Sequence, residues 1–558
     1  MDVLYFVVLV GVLIFVHELG HFAWAKFFGV RVLRFSLGFG PRLIGFRRGE
    51  TEYVLAAIPL GGYVRMFGES SADAVGPEEE ERSFQGQPLW KKLIIVVAGP
   101  AMNLVFPIVL YFVVFLGDAE LPPPVVGTVF PNTPAYGKLV PGDRILRVDG
   151  ADVGTFYDVN RIVERSPGRQ LAFSVDRGGE TLTIPITPDL TRVAREPPEL
   201  ALYEDVGRIG IWKYQPSAVI GIASPSGPAA AARLRTFDVV VSAAGQPIDT
   251  WRTLERTLDA NRGTSCPVTF LRPVRVDHAL GGLVEMDVYE PRVTTLTPDP
   301  GTASGAERAG LESADLYVSD VTVGSPEHYM GLLRGDRLLT LDGRRTVNFR
   351  TFLEDLNAGR GDEHELAWRR GDEQMGARFR LQHERRVTDQ GVPIDRYVVG
   401  MQHWVPMRTE PPTENESLLT YAVIRAFEKT WELTEVTVYT VIRLLQGRLS
   451  VDAIGGPLTI FEVAGEAARE GPSDYLSIMA FVSINLGLIN LMPIPMLDGG
   501  HLIFFFFEGV SRRRLSPRVR QYASLAGLLV LIVLMVIAFK NDIERQWPEL
   551  GDRFGSER

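Results

Sequence analysis

Two histidines four residues apart, with a glutamate directly after the first, stand inside an apolar stretch near the start of the chain: His17-Glu18-Leu19-Gly20-His21. On a helix, positions i and i+4 share one face, so both imidazoles can reach one ion. Glu18 then sits beside the metal, where it can take a proton from a bound water. By composition, chance matches to this pattern number roughly 0.01 in a chain of this length. Ionisable groups inside an apolar span are expensive and mark function by default. The bland alternative is a pair of histidines satisfied by interhelical hydrogen bonds. A catalytic zinc takes a third protein ligand and keeps one position open. Two candidates stand in Asn490-Leu-Met-Pro-Ile-Pro-Met-Leu-Asp-Gly-Gly-His501. Asp498 would partly neutralise the ion, and His501 would make the site all-imidazole. Pro493 and Pro495 break a helix there, and Gly499 and Gly500 let the backbone approach closely.

Such residues need membrane elements to carry them. No charge occurs from Val3 to Val16, within 93–117, within 475–497 or within 521–539. About 20 such residues cross a bilayer, so four spans are expected: roughly 3–25, 93–117, 475–497 and 520–540. A cleaved signal peptide is the rival for the first, but it lacks a basic n-region and a small-residue cleavage site. Basic residues crowd between spans one and two (Lys26 to Lys92) and between spans three and four (Arg512, Arg513, Arg514, Arg518, Arg520). Both loops should be cytoplasmic, which puts the long middle segment and both termini outside.

Length and composition bound the rest. The chain has 558 residues, enough for about three or four domains. A hydrophobic fraction of 46% excludes disorder, and one cysteine, Cys266, excludes a disulfide scaffold. A net charge of −10 argues against nucleic acid as a partner.

The middle segment repeats itself. Leu139-Val-Pro-Gly-Asp-Arg-Ile-Leu-Arg-Val-Asp-Gly150 recurs as Leu332-Leu-Arg-Gly-Asp-Arg-Leu-Leu-Thr-Leu-Asp-Gly343, with a degenerate copy at Leu234–Gly245. Each copy has a Pro pair upstream (Thr133-Pro134, Gly227-Pro228, Ser325-Pro326) and a helical stretch downstream. A Gly-Asp turn, a short strand, an Asp-Gly turn and a helix resemble a PDZ domain, which binds extended peptides by strand addition. The alternative is a spacer that binds nothing. Copy two has Phe237 in place of the turn glycine, which makes its groove the most doubtful. His278, His328, His364, His383 and His403 fall at unrelated spacings, so no second metal site is expected in the insert. Residues 417–447 show helical apolar spacing interrupted by Glu428, Lys429, Glu432 and Glu435, which suits an amphipathic helix on the bilayer or a core helix of the last soluble unit.

With these motifs together, the chain resembles the site-2 proteases, intramembrane zinc metalloproteases, and most closely their bacterial regulator-of-sigma-E branch. The resemblance rests on His17–His21, Asn490–His501, Ala98-Gly-Pro-Ala-Met-Asn103, Ile58-Pro-Leu-Gly-Gly-Tyr-Val64 and Phe35-Ser-Leu-Gly-Phe-Gly40. It implies that His17, His21 and Asp498 hold Zn2+ and that Glu18 is the base and acid. It implies a re-entrant β-loop at Phe35–Gly40 and Ile58–Phe67, whose Gly61, Gly62, Tyr63 and Val64 would pair with an unwound substrate. Asn485 and Asn490 would hold substrate backbone or an oxyanion. Close relatives usually carry two PDZ units, and a third departs from that pattern.

The expected fold is a polytopic α-helical membrane protein: four transmembrane helices, a re-entrant β-loop and an inserted tandem of α+β PDZ-like domains. The expected limits are 1–117, 118–206, 207–300, 301–410 and 411–558. The expected function is endoproteolysis within the bilayer of pre-trimmed single-pass membrane proteins, by analogy anti-sigma factors or signal-peptide remnants. The expected location is the bacterial inner membrane, insert and termini periplasmic, with peptide C-termini as further partners of the insert. A non-catalytic metal-binding PDZ scaffold is the alternative, although binding alone does not need Glu18. A metal transporter would use a series of ionisable residues through the spans, which this sequence lacks.

Overall fold

A computed structural model describes the chain except residues 70–75, 195–201, 280–283, 360, 388–392, 448, 450–454, 513–514 and 547–558; Arg513 and Arg514 of the expected basic loop lie outside the described residues. The chain divides into two compact units, one of Met1–Ala119 with Glu416–Arg558, the other of Glu120–Arg386 with Pro393–Asn415.

In the first unit, four helices are long and apolar enough to cross a membrane. They are α1 (Asp2–Phe27), α2 (Leu89–Phe115), α5 (Pro472–Leu491) and α7 (Pro517–Gln546). The third stops at Leu491, six residues short of the expected 497, because Pro493 and Pro495 lack the N–H that continues a helix. Residues 492–497 instead make tight turns, such as Leu497 N–H to Ile494 O, and α6 (Asp498–Ser511) begins afresh. Leu9 and Leu13 of α1, Leu110 and Tyr111 of α2, and Met479 and Ala480 of α5 share one core.

Two further helices complete this unit. α3 (Leu418–Leu445) lies where the helical apolar spacing of 417–447 predicts a helix. Its Tyr421–Ala426 face rests on α2, with Ala426 in the α1–α2–α5 core and the Tyr421 hydroxyl donating to Asp118 at 2.9 Å. Its charges pair along the helix, Arg425 with Glu428 and Lys429 with Glu432. α4 (Pro457–Glu470) was not legible, and its first turn is capped by Asp542 of α7, which accepts from the N–H groups of Gly456 and Leu458.

β1 (Val32–Arg48) and β2 (Thr51–Met66) are longer than the short strands expected, and each folds on itself. Residues 51–55 pair with 44–48 on one side and with 34–37 on the other, and 34–37 pair in turn with 62–65. The result is a four-stranded ribbon with 62–66 at one edge. The reversal before that edge is set by Gly61, at φ +109°, where a Cβ would meet the Phe39 ring at 2.1 Å.

The second unit builds the same lobe three times. Each lobe has an antiparallel four-stranded sheet of identical order: 151–152, 144–148, 171–177, 180–186 in the first; 246–247, 239–243, 266–279, 284–296 in the second; 344–345, 337–341, 364–370, 373–379 in the third. One long helix packs on each: Phe156–Glu164, Trp251–Ala260 and Phe349–Ala358. Each lobe also closes its first strand against its last: Thr128–Val129 with Ile211–Trp212, Ile220–Ile222 with Leu311–Ser313, Asp320–Val321 with Met401–Gln402. That closure corrects the boundaries drawn at 206 and 300. Ile209 belongs to the first core, and Ala306, Ala309 and Leu311 to the second. The two closing strands lie almost a whole lobe apart in sequence, so local patterning does not mark them.

The repeated aspartates explain themselves. Asp143, Asp238 and Asp336 are each about 1% exposed, and each takes two bonds from an arginine 34 residues later: Arg177, Arg272 and Arg370. Each arginine also donates to a backbone carbonyl, of Lys138, Arg233 and Gly331 respectively. A fork-to-fork pair of this kind fixes turn and sheet together. It holds the degenerate second copy in register, although Phe237 sits at φ +75° where the other lobes place Gly142 and Gly335. The cost of that conformation, about 1–3 kcal/mol, is offset by burial of the Phe237 ring against Val219, Ala314 and Tyr317. Cys266 opens a strand of the second lobe's sheet with its side chain in the core, and burial pushes its thiol pKa up. It is therefore a poor topology probe in the folded protein. Of the three clamps, Arg272 is the most enclosed. Arg272→Met strands a buried carboxylate and should destabilise the second lobe by about 3–5 kcal/mol, read as loss of hydrogen-exchange protection confined to residues 218–313.

Candidate metal centre

The centre is assembled by α1, α2, α6 and the strand edge at 62–66. His17 and His21 lie one turn apart on α1, and Asp498 is the first residue of α6. His17 Nε2 is 3.2 Å from His21 Nε2 and 3.1 Å from Asp498 Oδ2, and His21 Nε2 is 3.6 Å from the same oxygen. A tetrahedral ion about 2.0–2.1 Å from each donor separates its donors by roughly 3.3–3.4 Å, so these three atoms fit one zinc. Two imidazoles and a carboxylate are also a donor set suited to zinc. These residues form the one group of three or more His, Cys, Asp or Glu with metal-site spacing among the described residues. His501 lines the same cleft but stands outside that group.

The imidazoles are aimed from α2. His21 Nδ1 is 2.8 Å from the Ile95 carbonyl oxygen, which holds its proton and turns Nε2 toward the ligand point. His17 Nδ1 meets the side-chain amide of Asn103 at 3.2 Å. With Nε2 as the ligand, His17 Nδ1 carries the proton and needs an acceptor. Asn103 is fully buried, and its Oδ1 has no other partner. With the amide turned over, Oδ1 gives His17 that acceptor. Glycines make the approach possible. A Cβ on Gly20 would sit 2.3 Å from the Ala98 carbonyl, and one on Gly99 would sit 2.3 Å from His21 Nε2.

A cleft of about 340 Å3 opens on the ligand atoms. Glu18 and the strand residues Gly62, Tyr63 and Val64 line it, with the Val64 backbone bonded to the Glu18 carboxylate. Gly62 passes close to Glu18: a Cβ there would lie 3.1 Å from its Cγ. Gly61 does not line the cleft; it shapes the reversal that delivers the strand. Asn490 lines the cleft and Asn485 does not. Five residues on a helix turn about 140° in direction, so the two cannot face one point. Sequence reasoning gave no role to Ile95 or Asn103. The available signal for Asn103 was a lone amide within a charge-free span. It also passed over the polar mouth of the cleft, where Glu69, Gln85, Lys92, Glu508 and Arg520 gather.

Zinc content measured on purified variants separates these roles. Asp498→Ala should lose the metal and His501→Ala should keep it. Asn103→Leu should lower zinc affinity about 10–100-fold, and Asn103→Asp, which keeps an acceptor, should lose less.

The model of one family, peptidase family M50, matches residues 5–534. The chain is 29% identical to the regulator of sigma-E protease RseP of Salmonella typhimurium, over 97% of this chain and 98% of that one. It is 28% identical to the protein of the same name in Escherichia coli K12, over 98% of each chain. It is also 28% identical to a putative zinc metalloprotease of Neisseria meningitidis, over 97% of this chain and 98% of that one.

Proposed function

The chain belongs to peptidase family M50 and is a zinc metalloprotease, and on that premise we propose that it cuts single-pass membrane proteins within the bilayer after an outside cut has shortened them. The observation that carries this reading is one cleft shared by three ligand atoms, the Glu18 carboxylate and a strand edge, on the face of an apolar helix long enough to cross a membrane. A transmembrane helix hides its carbonyls in i−4 hydrogen bonds, so a scissile bond must first unwind. The edge at Gly62, Tyr63 and Val64 offers an extended segment backbone partners beside Glu18.

In this reading His17, His21 and Asp498 hold the ion. Zinc there supplies a Lewis acid for the scissile carbonyl and a water of lowered pKa. Glu18 takes the water's proton and passes it to the leaving amine. The Val64 backbone keeps Glu18 turned to the cleft rather than to lipid. Asn490, on the cleft wall, steadies substrate backbone or the developing oxyanion. A scaffold without catalysis would leave Glu18 and the adjoining strand edge without a task.

Orientation follows from charge. The basic stretches 26–92 and 512–520 face the cytoplasm, and the three-lobed insert and both termini face the periplasm of a bacterial inner membrane. The insert screens substrates, by excluding bulky external domains or by holding a new C-terminus. Two relatives are named for regulation of sigma-E, and by that analogy an anti-sigma factor is one proposed substrate.

Glu18→Gln should lower cleavage of a single-pass substrate by at least 100-fold while zinc stays bound. Gel assay of cleavage, with metal analysis of the same preparation, checks it. Full turnover, or loss of zinc, rules out the role given to Glu18. Cysteines placed at exposed Gly178 or Glu354 should react in intact cells with an impermeant maleimide, and labelling only after lysis overturns the orientation.

A further inference from the structure

Asp498 reaches the ligand point at the end of a turn that holds itself. The backbone bonds described for 492–497 run to residues within 489–500: Ile494 N–H to Met492 O, Met496 and Leu497 N–H to Ile494 O, and Gly500 N–H to Leu497 O. Such bonds fix the shape of the turn but not its place beside α1. That place must come from packing. On one side the turn lies on α6. A Cβ on Gly500 would fall 2.5 Å from Pro495 Cα, and one on Gly499 would fall 2.1 Å from the Met492 carbonyl oxygen. Turn and α6 therefore move as one block.

The other side of Pro495 meets α7. A Cβ on Gly527 would stand 3.0 Å from the Pro495 carbonyl carbon and 3.1 Å from its N and Cδ. Non-bonded carbons rest at about 3.5–4.0 Å, so only a glycine lets the two backbones come this near. α7 is the least enclosed of the four apolar helices. From 518 to 537 Gly527 alone is buried, while Leu525, Leu528 and Leu529 around it are exposed. Ala523, four residues earlier and so on the same face, is half-buried. The two make the small-xxx-small surface by which elements approach closely in lipid. Here that surface receives a turn rather than a second helix.

α7 is not free to back away. About two turns before Gly527, Arg520 is paired with Glu508 of α6. About four turns after it, Asp542 accepts from the N–H groups of Gly456 and Leu458 and from the Thr459 hydroxyl at the start of α4. Ala538 adds a close contact, since a Cβ on Gly456 would meet its carbonyl carbon at 3.0 Å. Pinned at both ends, α7 presents Gly527 to Pro495 as a fixed stop.

We propose that α7 positions the third metal ligand: Gly527 seats Pro495 and so holds the 492–497 turn, and Asp498 with it, at the distance from His17 and His21 that one ion requires. This deepens the metal reading and rests on it. Asp498 follows Pro495 by three residues, and its Oδ2 is 3.1 Å from His17 Nε2. A ligand set works only within about 0.5 Å of its geometry. A methyl group at position 527 needs about 0.5 Å more than the present gap. Alanine therefore reaches the tolerance of the site, and a longer side chain exceeds it. Glu18 and the strand edge at 62–66 stand on other elements, so the displacement acts on the ligand set and leaves the base in place.

The test uses the full chain in detergent, stripped of metal with a chelator and titrated with zinc against a fluorescent zinc indicator. Gly527→Leu should weaken zinc binding by roughly 10–100-fold, and Gly527→Ala by about 3-fold. Ala526→Leu puts the same bulk one residue away on an exposed face and should leave zinc affinity unchanged. Cobalt in place of zinc gives a visible spectrum that reports ligand geometry. That spectrum should change in Gly527→Ala and stay as it is in Ala526→Leu, a difference that general loosening of α7 would not produce. A loss below about 2-fold in Gly527→Leu, against the roughly 10-fold or more expected of a ligand-positioning contact, overturns the proposal. Equal losses in Gly527→Leu and Ala526→Leu overturn it too. If Gly527→Leu does not fold, Gly527→Ala decides: unchanged zinc affinity with an unchanged cobalt spectrum overturns the proposal. Asp498→Ala, measured beside them, separates the two readings. If it keeps full zinc affinity, the ligand assignment fails and the role of Gly527 with it. If it loses zinc while Gly527→Leu keeps it, only the role given to α7 fails.

Discussion

The metal centre depends on α1 and α2 meeting backbone to side chain with almost nothing between them. Within a bilayer the hydrophobic effect does not drive helices together, because lipid is as apolar as a leucine side chain. Close packing and hydrogen bonds must do it, and both concentrate here. Gly20 admits the Ala98 carbonyl, and Gly99 leaves room for the His21 ring. From that contact α2 reaches both imidazoles, through the Ile95 carbonyl and the Asn103 amide. The same helix receives α5, where a Cβ on Gly487 would stand 3.0 Å from the Pro100 carbonyl. Ser483 of α5 adds a 2.8 Å bond to the Asn103 carbonyl. A side chain larger than hydrogen at Gly99 would strike the His21 ring and move it off the ligand point.

A second constraint concerns backbone. Strands beside an apolar helix bundle must satisfy their N–H and C=O groups within protein or in a wet cavity. The ribbon of β1 and β2 does so fully on its two inner segments, 34–37 and 51–55, by pairing with itself. Of its two edges, 44–48 and 62–66, the second lies at the cleft, where Val64 meets Glu18. In the proposed function, the same edge that would be a liability elsewhere receives an extended substrate segment.

The insert shows how one scaffold carries different surfaces. The aspartate–arginine clamp ties the turn to the sheet in all three lobes, so the fold tolerates Phe237 at a left-handed position. Freed from holding the fold, the groove residues diverge. A short helix lies against the long helix of the second lobe, and a ring stack and a buried, unbonded carboxyl mark the third.

The sequence by itself determined the chemistry and most of the elements. His17, Glu18 and His21 are read from helical spacing alone, because i and i+4 share a face whatever else the chain does. The four apolar helices and the repeated Gly-Asp turn are equally local. Tertiary structure decided the rest. Nothing local separates Asp498 from His501: only the turn at 492–497 and the start of α6 bring the aspartate oxygen to 3.1 Å from His17, while His501 lines the same cleft outside the ligand group. The roles of Asn103 and Ile95, the failure of Asn485 to face the cleft, and the strand closure that moves the lobe boundaries all depend on which surfaces pack together. Periodicity reports on one element at a time, whereas a ligand set and a closing strand pair are contacts between residues far apart in the chain.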